Sequence, residues 1–358
     1  MRWIFWIFIT AALTFGGWFA WAVLSPVQPA PQTILMLRPG YSTRRIAGEL
    51  KSAGVIRSED AFVLWHYIRH RRSLKAGEYL FEKPASIIDI QKRLRRGDVY
   101  FHAVVVPEGF TMFDIAGAIE AAGLGSADEF VKAAKSDTAL ISDLAPNAPS
   151  LEGYLFPDTY EFTRMMTMDE MAAAMVKQFR QVARQIGLTP AQTGATMQTV
   201  SAASAISLAS ASQPENTNPP PDPIQRTVIM ASIVEKETAV ADERPLVASV
   251  YYNRLAKNIA LDADPSIIYG ELLSGAYGGA LHHEDMRFDS RYNTYKYAGL
   301  PPGPIGNPGK NALEAAMHPA QSDYFYFVAD AQGHHRFAKT MEEHNKNVAA
   351  YRRAMRGK

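Results

Sequence analysis

A chain of 358 residues, 47 % hydrophobic and 20 % charged, holds enough apolar material for about two folded cores and is not a disordered polymer. Its formal net charge of +1 gives no basic field to hold a polyanion, so nucleic acid is not an expected partner. The lack of cysteine excludes a disulfide framework, a thiolate nucleophile and a cysteine-ligated zinc.

Residues 3–24 contain no charged side chain. About 20 such residues cross a bilayer core as a helix, and Trp3, Trp6, Trp18 and Trp21 lie near the ends, where indole rings prefer the interface. The rival reading is a cleaved signal peptide, with Ala20-Trp21-Ala22 as the small-x-small site. The length of the run and the bulk of Trp21 favour a retained anchor, residues 1–24. Arg2 precedes the span while Arg38, Arg44 and Arg45 follow it, so local charge counting favours the opposite orientation; long domains cross largely regardless of charge. Residues 25–33, opening with the uncharged SPVQPAPQ, read as an extended stalk.

Residues 34–106 are expected to form a small α/β module. ILML is a strand, Ser42 caps a helix carrying Ile46 and Leu50, and Ser58 caps a second through Phe62, Leu64, Trp65 and Ile68. Tyr79-Leu80-Phe81 is a short strand. Ser86 opens a third helix with Arg93, Arg95 and Arg96 on its solvated face, and VYFHAVVV closes the module as a strand.

The catalytic region is expected to occupy residues 107–358. Thr111 and Asp114 form a capping box. Residues 151–162 (LEGYLFPDTYEF) are aromatic and turn-rich, and 165–186 is a helix. Residues 188–221 are low-complexity Ala, Ser, Thr and Gln ending in a proline run, and read as a flexible insertion. Asp222, Pro223 and Gln225 then start a helix that reaches about Thr238, followed by another over 245–258. Turns and aromatics fill the chain to Pro308. A hairpin (YFYFVA and HHRFA) and a last helix capped by Thr340 and Glu343 complete it.

On the helix IQRTVIMASIVEKET, Met230, Ile233 and Val234 form an apolar stripe that Glu237 continues. Glu235 lies about 200° round the helix and points elsewhere. A carboxyl that continues an apolar stripe at a helix C-terminus is desolvated and meets the negative end of the dipole, and both effects raise its pKa. That suits a general acid near neutral pH; taken on this helix alone, an ordinary surface helix end with solvated glutamates is the stronger reading. Tyr154, Phe156 and Tyr160, the YNTY segment from Tyr292 to Tyr295, and the proline-rich GLPPGPIGNPG at 299–309 supply the aromatic faces, amides and carbonyls that sugar rings need. Core packing is the competing explanation for each single tyrosine. HHED at 282–285 does not match HExxH, and Gly309-Lys310-Asn311 lacks P-loop spacing, so neither a metal nor a nucleotide is expected.

ASIVEKETAVADERPLVASVYYNRL, DADPSIIYG, RYNTYKYAGLPPGPIGNPG, HPA, YFYFVAD…HRF…HN and EGYLFPDTY, together and in this order, are similar to the membrane-bound YceG-like endolytic murein transglycosylases. The resemblance covers the chain from the anchor to about Tyr351. It implies an α+β chain with a single N-terminal transmembrane helix, a LysM-like module within 34–106 and a mixed α+β catalytic domain. It implies non-hydrolytic cleavage of the MurNAc-β-1,4-GlcNAc bond to give 1,6-anhydro ends, without cofactor or metal. The family's catalytic glutamate falls on Glu237. Asn253, Asp264, Tyr292, Asn293 and Tyr295 match recurring motif positions and, with Glu235 and Tyr154, are expected to bind substrate. The implied setting is the inner membrane with the catalytic domain in the periplasm. The implied partners are peptidoglycan glycan strands, the membrane itself and, at family level, peptidoglycan synthases. Two alternatives stay open: a hydrolytic muramidase pairing Glu237 with Asp264, Glu235 or Glu152, and a glycan-binding scaffold without activity.

Overall fold

The structure is a computed structural model that describes residues 2–69, 73–189 and 222–356. It is a mixed α+β chain with an N-terminal apolar helix, and it separates into two compact units: Met1–Ala103 with Glu161–Met166, and Val104–Tyr160 with Thr167–Lys358. Most of the low-complexity stretch at 188–221 lies outside the described residues.

The smaller unit begins with α1 (Arg2–Leu24), the one helix among the described residues long and apolar enough to cross a membrane. After it come β1 (Thr33–Leu37), α2 (Thr43–Ser52), α3 (Glu59–Ile68), β2 (Gly77–Phe81) and α4 (Ile87–Arg96). Ser42, Ser58 and Ser86 each accept a backbone N–H at the start of α2, α3 and α4, as expected of N-cap serines. β1 and β2 pair antiparallel, Leu35 opposite Tyr79, with α2 and α3 between them in sequence. Ile46, Leu50, Phe62, Tyr79, Ile90 and Leu94 form the core, and Ala22 and Val23 at the end of α1 join it.

Two features differ from the sequence reading. Residues 25–33 are not a free stalk. Val27 bridges Ala85, Gln28 donates to the Glu82 carbonyl, and Arg57 donates to the carbonyls of Ser25 and Pro26, because a proline-rich segment leaves carbonyls that a neighbouring donor can take. Arg93 is not on a solvated face: its guanidinium lies over the Phe81 ring and donates to the Leu80 carbonyl.

The strands β3 (His102–Val105) and β4 (Thr159–Phe162) pair and carry the chain between the units and back. β3 is shorter than the eight-residue run that suggested it.

In the larger unit α5 (Met112–Ala121) starts at the expected Thr111–Asp114 capping box, and α7 (Met168–Gln185) at a Thr167–Glu170 box. α6 (Ala127–Ser136), capped by Ser126, was not expected. The centre is α8 (Pro223–Glu237), with Asp222 accepting from the Ile224 N–H and Pro223 in the first turn. Every residue from Thr227 to Val234 is buried, so α8 is a core helix enclosed on all sides rather than an amphipathic one. α9 (Arg244–Ala256), α10 (Asp264–Ser274) and α11 (Lys310–Met317) pack against it. α10 falls where only turns were expected, and α11 lies in the stretch between Pro308 and the hairpin, to which no element was assigned. β5 (Tyr326–Ala329) and β6 (His335–Ala338) form the expected antiparallel hairpin, and α12 (Met341–Arg356) follows the Thr340–Glu343 cap.

Candidate active site

α8 stops at Glu237, where Thr238 takes an extended backbone and its hydroxyl accepts the Val240 N–H. Glu237 keeps part of its surface open to solvent yet is densely surrounded. Burial pushes its pKa to about 7, the Tyr251 hydroxyl donates to it and pulls the pKa down, and the charge of Asp264 pushes it up. A carboxyl so poised exchanges its proton near neutral pH and is reachable from solution, the two requirements of a general acid that later acts as a base.

Tyr251 sits on the buried face of α9 with Val247, four residues before it, and meets Phe327 of β5 edge to face at 5.8 Å. Burial holds its own pKa well above 10.0, so it remains a donor. In the sequence Tyr251 is one residue of the VYYNRL motif, with no role of its own legible there. The available signal was a hydroxyl-bearing ring continuing the apolar stripe of the helix after Glu237.

Asp264 opens α10, is exposed, and accepts the Tyr295 hydroxyl at 2.6 Å. Tyr295 is 39 % exposed, and burial together with Asp264 raises its pKa. The turn that presents this pair is tightly held. Asn293 is fully buried, donates to the carbonyls of Met286 and Phe288, and accepts the Tyr295 N–H. Thr294 accepts the Ala263 N–H at 3.0 Å and shares a hydrogen bond with Ser266, which fixes the start of α10. Of the expected groove residues, then, Glu237, Asp264 and Tyr295 gather, and Asn293 builds the turn beneath them instead of facing a ligand.

The others lie elsewhere. Tyr154 is fully buried, edge to face with Phe179 at 5.0 Å, and Phe156 and Tyr160 are also core. Tyr292 is buried against Tyr269 at 5.0 Å. Asn253 donates to the carbonyls of Ser322 and Tyr324 and holds the chain that leads into β5. Glu235 bonds Arg244 at 2.6 Å and the Gly309 N–H at 2.9 Å, so its oxygens are engaged inside the protein. An aromatic or amide in a motif is indistinguishable by type from one in a core, and only packing separates them.

The proline-rich loop does not display carbonyls to solvent either. Residues 303–309 are buried. The Ile305 N–H donates to Ser232 on α8 at 3.0 Å, and Gly309 reaches Glu235 three residues further along. Asn307 accepts the N–H groups of Gly153 and Leu155 and donates to the Phe110 carbonyl and to Glu152. Gly153 has a φ of +87°, and Pro304 fills the space a Cβ would need. Glu152, one of the proposed hydrolytic partners, is fully enclosed. It accepts the Met112 N–H and bonds Tyr269, and burial pushes its pKa to about 7.

The model of the YceG-like family matches residues 35–350. The chain belongs to this family. It is 32 % identical to the endolytic murein transglycosylase of Bacillus subtilis (strain 168), over 95 % of this chain and 91 % of that one. It is 29 % identical to that of Streptococcus pneumoniae serotype 2 (strain D39 / NCTC 7466), over 95 % of this chain and 63 % of the longer relative. A crystal structure of a putative yceG-like protein from Listeria monocytogenes superposes with a TM-score of 0.55 at 30 % identity, covering 87 % of this chain and 98 % of that one. The YceG-like family match begins at residue 35, after α1, and runs through the unit that carries Glu237 as far as residue 350.

Proposed function

We propose that this YceG-like chain is an endolytic lytic transglycosylase of peptidoglycan, a lyase that cuts the MurNAc-β-1,4-GlcNAc bond and leaves 1,6-anhydro-MurNAc ends. The observation that carries this reading is the partly open carboxyl of Glu237, desolvated to a pKa of about 7 beside Tyr251 and Asp264. Protonated Glu237 gives its proton to the glycosidic oxygen as the C1–O bond of MurNAc breaks, and GlcNAc leaves with a free 4-hydroxyl. The Glu237 carboxylate then takes the proton from the MurNAc 6-hydroxyl while that oxygen bonds C1. The glutamate ends protonated, no water is consumed, and no second carboxylate attacks, unlike the usual glycosidase. Asp264 disfavours the Glu237 anion, and Tyr251 steadies that anion once it forms.

Substrate then lies along Tyr295 and Asp264, the exposed edge of the site. α1 is a retained single-pass anchor of the inner membrane, the larger unit works in the periplasm, and the enzyme trims or terminates nascent strands. The β1–α2–α3–β2 order supports a LysM-like reading of the small unit. Peptidoglycan synthases are its expected protein partners.

Product analysis tests the reaction. Digestion of purified sacculi followed by mass spectrometry should give anhydro-ended muropeptides, each one water lighter than the hydrolytic product. Glu237→Gln should abolish them while the protein still binds sacculi. Reducing-end MurNAc would instead establish a hydrolase, and undiminished cleavage by the glutamine variant would take Glu237 out of the reaction.

A further inference from the structure

The position of α1 against its own unit fixes a height. At about 1.5 Å per residue, the 23 residues of α1 reach about 35 Å, slightly more than a hydrocarbon core of about 30 Å. The last turns of α1 therefore lie at the boundary between acyl chains and headgroups. These turns are the part the module grips. Ala22 and Val23 are each only 2 % exposed, Phe19 packs against the module's core, and its ring lies 6.4 Å from that of Trp65 on α3. Phe19 is five residues, about 7.5 Å, inside the end of the helix. A side chain that touches it sits at the depth of the boundary.

Beyond Trp65, α3 ends in Tyr67 and Ile68, which are 50 % and 53 % exposed. An exposed isoleucine beside an amphipathic tyrosine ring on one helix end is suited to the headgroup layer. The flanking charge fits as well. Arg69 stacks over Trp65 at 5.1 Å, and Arg57 stacks over Trp21 at 4.9 Å while holding the carbonyls of Ser25 and Pro26. Guanidinium groups at that level meet lipid phosphates.

We propose that the C-terminal end of α3, with Trp65, Tyr67, Ile68 and Arg69, is seated in the headgroup layer of the bilayer that α1 spans, so that the small unit is a lipid-bound collar. The occupant of this surface is the phospholipid bilayer itself, because the surface is continuous with a helix already in it. The inference rests on α1 being retained as a span.

The cysteine-free sequence allows a direct test. Full-length Ile68→Cys and Leu13→Cys chains, each carrying a nitroxide, are placed in nanodiscs of phosphatidylethanolamine and phosphatidylglycerol. Relaxation of the label by oxygen is compared with relaxation by a water-soluble nickel complex. The expected result is an oxygen-to-nickel ratio at Ile68 severalfold above that of a freely hydrated label, and below that at Leu13. A deep label at Leu13 with a fully hydrated label at Ile68 overturns the collar and leaves the anchor standing. A hydrated or missing label at Leu13 removes both.

Discussion

Glu237 is controlled by two neighbours that pull its proton affinity in opposite directions. Tyr251 donates to it and favours the anion, while Asp264 adds negative charge and opposes it. In the proposed reaction the acid must be protonated at the start, so the rate should fall as pH rises through about 7. Tyr251→Phe removes the donor, raises the Glu237 pKa and moves that alkaline limb upward. Asp264→Asn removes the opposing charge and moves it downward. Each shift is expected to be about one pH unit, read from kcat/KM against pH. Movement of both limbs in the same direction would contradict the assignment. Glu237 stood out in the sequence through the resemblance of its EKET segment to a family motif, with the apolar stripe before it as a secondary sign. Tyr251 did not, because a tyrosine on an apolar stripe obeys the pattern of its surroundings.

At the scale of elements, α8 and the proline-rich loop form one construction. Ser232 and Glu235, three residues apart, face the loop and take the N–H groups of Ile305 and Gly309. The same helix thereby turns Glu237 toward α9 and α10. Asn307 serves four partners with one side chain. Asn307→Ala should leave those buried groups unsatisfied, at about 1–3 kcal/mol apiece, enough to lower the unfolding midpoint measured in urea or to prevent folding. Glu235→Ala should cost about 1–3 kcal/mol, also read by urea unfolding, because it frees the Gly309 N–H and leaves the buried Arg244 with only its longer contact to Glu108, and Glu235→Gln should recover part of that. The capped helices and the hairpin could be read from sequence because their signals are local: a serine or threonine before an apolar run, alternation on either side of a turn. α10 and α11 lack such side-chain caps, and burial holds them in place.

For the whole molecule, two desolvated carboxyls, one enclosed and one partly open, couple stability to pH. Glu152 and Glu237 keep their protons to about 7 in the folded chain, against 4.5 for an ordinary glutamate. Between those values the folded state binds more protons than the unfolded one, so stability falls as pH rises, by up to about 3 kcal/mol for each group. Below 4.5 both states are protonated and the penalty vanishes. Glu152→Gln should flatten the slope of the urea midpoint against pH across that window, and Glu237→Gln should do the same; an unchanged slope in both would show that neither group titrates as described.

The sequence by itself determined the apolar N-terminal helix, the serine-capped helices of the small unit and the threonine caps at Thr111 and Thr340. Each rests on composition or on spacing within a few residues, which act before the chain folds. The tertiary structure alone decided which motif residues face solvent. Tyr154, Asn293 and Glu235 are sunk into packing, hydrogen bonds and an ion pair, while Asp264 and Tyr295 meet near Glu237 although 31 residues separate them in sequence. Burial and partnership are made between distant segments, and no local pattern encodes which side of a residue the rest of the chain will cover.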